Sequence, residues 1–115
     1  MRPHSVGKVL APETLTTLFI VPTRSLANLK TLYVRNNAVS AKTVSVWWYD
    51  KSEDFSIPIV LDYPITSKEF LLLDGNTYIV LDEGDEVRAE SEAGSNTSII
   101  ITVEIDPRAS VQNFA

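Results

Sequence analysis

The chain is 115 residues long, with 10 lysines and arginines against 15 aspartates and glutamates, a formal charge of −5 and no cysteine. That length allows one core and no separate catalytic lobe. The negative balance argues against nucleic-acid backbones and anionic membranes, whose recognition rests on lysine and arginine displacing counterions. The lack of cysteine removes disulfides, thiolate metal sites and thiol nucleophiles. Protein or sugar surfaces are the partners that remain.

Residues 1–13, MRPHSVGKVLAPE, show no strand alternation and little apolar content, so an extended N-terminal arm is expected there. The basic start followed by the apolar patch at 14–21 superficially suggests a secretory leader. Three threonines and a closing Pro22 break the uninterrupted run that a leader needs. No window approaches the roughly 20 apolar residues that cross a bilayer, so a soluble protein made in the cytoplasm is expected.

From residue 14 onward strand signals dominate, and helical periodicity is nearly missing. The runs are TLTTLFIV (14–21), LKTLYVRN (29–36), KTVSVWWYD (42–50), FSIPIVLDY (55–63), KEFLLL (68–73), TYIVL (77–81), EVRAES (86–91) and TSIIITVEI (97–105). Between them lie NNAVS, KSED, ITS, DGN, DEGD and EAGSN, each carrying residues suited to turns. The pattern predicts an all-β fold, an eight-strand antiparallel β-sandwich most like a jelly roll. It occupies 14–105, and 106–115 form a second extended arm.

Neighbouring strand residues face opposite ways. Alternation therefore assigns Leu32 and Val34, then Val44, Val46 and Trp48, then Val87 and Ala89, and finally Ile99, Ile101, Val103 and Ile105 to the interior. If Trp48 is core, Trp47 and Tyr49 lie on the opposite face, which must be covered or used. Exposed aromatics of this kind anchor protein interfaces, stack on sugar rings, or pack beneath a loop. Tyr33 and Ile100 extend that patch if their strands are neighbours.

The segment YIVLDEGDEVRAESEAG, 78–94, carries six acidic side chains. Read as a hairpin, it turns at Glu83-Gly84-Asp85, with Gly84 supplying a positive φ and the carboxylates facing solvent or bonding nearby backbone amides. A calcium loop is the sharper alternative, but its spaced oxygen ligands and flanking helices do not match DEGDEVRAESE. No catalytic residue stands out. His4 is the single histidine and falls in the N-terminal arm, and no glycine-rich phosphate loop or cofactor motif occurs. The chain is expected not to be an enzyme.

Val21-Pro22, Val34-Arg35-Asn36, the alternating stretch Val44 to Trp48, Leu81 with Gly84-Asp85-Glu86-Val87, and Ile99 to Ile105 together form a succession. Over residues 14–105 that succession resembles the small β-sandwich structural proteins of tailed bacteriophages. The doublet Trp47-Trp48 departs from the usual single aromatic of that group. The resemblance implies a virion component without catalytic residues, often a homotrimer, with the major capsid protein or another virion protein as partner. A capsid decoration or cement protein that clamps neighbouring capsomers is the expectation. A tail, neck or fibre module is the alternative within the class, and a carbohydrate-binding module for host attachment is the alternative outside it. Contact candidates are Val9, Leu10 and Phe114 in the arms, with Tyr33, Trp47 and Tyr49 on the sandwich.

Overall fold

The structure, a computed structural model, describes residues 2–74 and 79–107. Nine strands account for most of them: β1 (Arg2–Leu10), β2 (Thr16–Ile20), β3 (Ser25–Asn36), β4 (Lys42–Asp50), β5 (Phe55–Ile65), β6 (Phe70–Leu73), β7 (Ile79–Leu81), β8 (Glu86–Ser91) and β9 (Thr97–Pro107). Among the described residues there is no helix.

The strand pairings nest. β1 pairs with β9, β2 with β8, β3 with β6 and β7, and β4 with β5, all antiparallel. A chain paired this way is one long hairpin. Rolling it so that β9 also meets β3 and β8 also meets β4 gives two sheets. One has the order β1-β9-β3-β6, with β7 also on β3, and the other has the order β2-β8-β4-β5. This is jelly-roll connectivity, as the strand spacing predicts. β6 and β7 are two pieces of one flank, because both run along β3, at Leu32–Arg35 and at Ala27–Leu29 respectively.

The eight predicted runs correspond to β2 through β9, and β1 is the addition. Residues 2–10, read from sequence as part of an arm, form an edge strand paired from Arg2↔Ile105 to Leu10↔Thr97. The reading failed because alternation signals burial, and seven of the nine positions of β1 other than Val6 and Leu10 are exposed. Backbone pairing to β9 holds the strand, with little contribution from its side chains. Of the second arm, β9 claims Asp106 and Pro107, and residues 108–115 lie outside the described residues.

The core lies between the inner faces. Ala27, Leu29, Leu32 and Val34 of β3 and Ile99, Ile101 and Val103 of β9 meet Val44 and Val46 of β4 and Val87 and Ala89 of β8, all buried. Trp48 and Ile105 pack against this cluster with partial exposure. Each fully buried aliphatic side chain contributes about 1.5–3 kcal/mol relative to exposure. In β3 the two-residue period breaks once, since burial falls at positions 27 and 29 and then at 32 and 34. A register shift against β9 between Leu29 and Thr31 absorbs the odd residue.

Asn36, the last residue of β3, is buried and fixes a corner. Its Nδ2 donates to the carbonyls of Ser40 and Ile65 at 2.9 and 2.8 Å, and its Oδ1 accepts from the Ala38 amide at 2.9 Å. The Val34-Arg35-Asn36 segment singled out in sequence thus ends on a polar residue for a packing reason.

Candidate functional site

The turn between β7 and β8 places its acids unequally. Gly84 has φ +85°, as a hairpin reading of the turn requires. Asp82 and Glu83 are exposed, but Asp85 is only 3% exposed. Its carboxylate accepts hydrogen bonds from Trp48 Nε1 at 3.1 Å, the Lys51 amide at 3.1 Å and the Asp82 amide at 2.9 Å. Of the two roles expected for the carboxylates of this turn, Asp85 takes the bonding of nearby backbone amides, and it is buried where Asp82 and Glu83 face solvent. The turn is also latched to Val21-Pro22: the Val21 amide donates to the Asp85 carbonyl at 3.0 Å, and the Gly84 amide donates to the Val21 carbonyl at 3.1 Å. Among the described residues no group of three or more acidic or imidazole side chains is placed to hold a metal ion. His4 lies on β1 with its ring 6.3 Å from that of Phe19.

The two outer faces of the sandwich differ. On the β1-β9-β3-β6 sheet, register places Ile100 beside Tyr33 and Tyr33 beside Leu72, with Phe70 one row away opposite Arg35. The Tyr33 and Phe70 rings lie 5.5 Å apart. Phe70, Leu72 and Ile100 are 53, 46 and 44% exposed, and Val9 on the neighbouring edge strand is 70% exposed. These residues form an apolar strip across four strands. Leu10, the other arm candidate, is 2% exposed and belongs to the core, because adjacent residues of a strand face opposite sides. Phe114 lies outside the described residues.

Trp47 and Tyr49 are on the outer face of the other sheet, so Tyr33 and Ile100 do not extend their patch. Strand register sets Tyr49 opposite Glu86, Trp47 opposite Arg88 and Ser45 opposite Glu90. The Arg88 guanidinium lies 3.9 Å over the Tyr49 ring, and its Nε donates to Glu86 Oε1 at 2.8 Å. That bond, with a second from Thr17 Oγ1 at 3.0 Å, holds the Glu86 carboxyl below its usual range against the opposing effect of burial. Tyr49 donates its hydroxyl to Asp54 at 2.6 Å, which raises the phenol above its usual range.

Beside this constellation is a groove of about 240 Å³ lined by Trp47, Ser45, Leu61, Asp62, Glu90 and Glu92, among others. Its origin is a bulge. β5 sets both Leu61 and Asp62 against the single residue Ser45, and Asp62 adopts φ +48°. Ser45 Oγ accepts from the Asp62 amide at 2.8 Å and fastens the kink. Sequence reasoning found Trp47 but missed Asp62 and Glu90, which join it only through register. It also missed Phe70 and Leu72, for which a signal existed: four successive apolar residues in β6 leave that strand with no polar face.

Fold and surfaces together define a β-sandwich module of jelly-roll connectivity. No protein-family model matches the sequence, and no curated protein matches it. Among solved structures, the globular domain of zebrafish complement 1qA is similar, with a TM-score of 0.50 at 12% identity, covering 90% of this chain and 96% of that one. A protein of Bacillus endospore appendages, a family of disulfide-linked pili, gives a TM-score of 0.47 at 10% identity over 93% of this chain and 86% of that one. A chain of infectious bursal disease virus, Gx strain, gives 0.41 at 13% identity over 94% of this chain and 33% of that one. The likeness to the complement domain is one of fold.

Proposed function

We propose that the chain is a non-enzymatic structural protein of a tailed-phage virion, a decoration protein that self-associates as a trimer and binds the capsid surface. The observation that carries this reading is the exposed apolar strip of Val9, Ile100, Tyr33, Leu72 and Phe70. Contiguous apolar surface on a small acidic domain costs solubility unless another chain covers it. The succession of Val21-Pro22, Val34-Arg35-Asn36 and Gly84-Asp85-Glu86-Val87 supports the phage reading. Two of those segments meet in space, because the Val21 and Gly84–Asp85 backbones bond one another.

The test is light scattering on the purified protein. The expected mass is three times the 12.8 kDa of one chain. Leu72→Glu, on β6 at one end of the strip beside Tyr33, is expected to give a monomer with an unchanged β-sheet circular dichroism spectrum. A wild-type monomer at micromolar concentration would sink the self-association. Heads that sediment without the protein after mixing would sink the decoration role.

A further inference from the structure

From the Trp47 groove we infer a second docking site, which receives an arginine or lysine side chain of a partner protein. This deepens the decoration reading by naming the chemistry of the surface that the module meets. Three carboxylates, Asp62, Glu90 and Glu92, line the groove, and none has an ion-pair partner among the described residues. A concave wall of one sign concentrates potential and attracts the opposite charge. The indole of Trp47 adds a ring on which a cation rests favourably.

Two of the three carboxylates are also pre-positioned. Glu92 Oε1 accepts from the Thr43 amide at 2.7 Å, and Asp62 is pinned through its own amide to Ser45 Oγ at 2.8 Å. Binding therefore orders little that is not already ordered.

The same sheet carries an internal precedent. At Tyr49 an aromatic ring and the carboxylate of Glu86 hold Arg88, which lies 3.9 Å over the ring and 2.8 Å from the carboxylate. Register sets Trp47 opposite this same Arg88, but the guanidinium is turned to Tyr49 and Glu86, and Glu90, on the row beyond, has no ion-pair partner among the described residues, so a cation between Trp47 and Glu90 comes from outside. Next to the groove Leu61 and Tyr63 of the edge strand β5 are 59 and 43% exposed. A basic residue flanked by apolar ones fits this combination better than a sugar, whose hydroxyls can donate to a carboxylate but do not offset the charge of three.

The test follows the Trp47 indole N–H by NMR while acetyl-Leu-Arg-Leu-amide is added to the full chain. Acetyl-Leu-Gln-Leu-amide and methyl glycosides serve as comparison probes. The expected result is a saturable shift with the arginine peptide alone, weakened about fivefold or more between low and high salt as screening grows. Glu90→Gln, which alters an outward side chain and leaves the core intact, is expected to weaken it similarly. A shift of equal size with the glutamine peptide, or no shift with any probe, overturns the proposal. A shift with glycosides alone overturns it and assigns the groove to carbohydrate. Failure here is distinct from failure of the self-association, which is read by mass: a trimer without the shift rejects only the groove, and a monomer with it rejects only the trimer.

Discussion

Asp85 shows how one residue changes role between sequence and structure. It reads as one more acid in an acidic turn, yet it is buried and accepts three N–H donors from two segments: the turn itself at Asp82, and the end of β4 at Trp48 and, just past it, Lys51. Removing the acceptor leaves those donors without partners, and each buried unsatisfied group costs about 1–3 kcal/mol, with some relief from entering water. Asp85→Ala is therefore expected to lower unfolding stability by about 2–4 kcal/mol in urea titration. Glu83→Ala provides the contrast. Glu83 is exposed and its carboxylate accepts one bond, from the Arg24 amide, so its loss is expected to cost under about 1 kcal/mol. Equal effects of the two substitutions would show that the buried network contributes nothing particular.

At the scale of elements, what was legible depended on whether a strand has two unlike faces. β4, β8 and β9 do, and their inner residues Val44, Val46, Val87, Ala89, Ile99, Ile101 and Val103 are all buried as alternation predicts. β1 has no such contrast, so its nine residues looked like an arm although every one of them pairs with β9, from Thr97 to Ile105. The groove was illegible for another reason. Trp47, Asp62 and Glu90 come from three strands, and the bulge that aligns them depends on which residue of β5 faces Ser45, a fact of register that local patterns do not carry. The nature of β1 makes a prediction of its own. A strand bonded on one side, anchored in the core mainly by Leu10, opens without disturbing the remaining sheet. Its amides are expected to exchange with deuterium about tenfold or more faster than those linking β3 to β9. Equal protection would make β1 part of the global folding unit.

For the whole molecule, the placement of the two surfaces on opposite outer faces would set the geometry of the proposed assembly. The apolar strip belongs to β1-β9-β3-β6 and the acidic groove to β2-β8-β4-β5, so the sandwich core separates them and both can be engaged together. Trimerisation through the strip would leave one groove on the far side of each subunit, three in all, and linked sites of this sort bind a repeating surface more tightly than one alone. Association also feeds into stability, because a neighbour that binds only the folded chain raises its melting temperature by mass action. For a domain of this length a hundredfold rise in protein concentration is expected to lift the melting temperature by about 5–10 °C. Leu72→Glu should abolish that dependence and leave the low-concentration melting temperature nearly unchanged, since Leu72 is 46% exposed and outside the core. A melting temperature that ignores concentration in the wild type would mean that the strip is not covered by another copy, and the apolar face would then have to meet the particle surface directly.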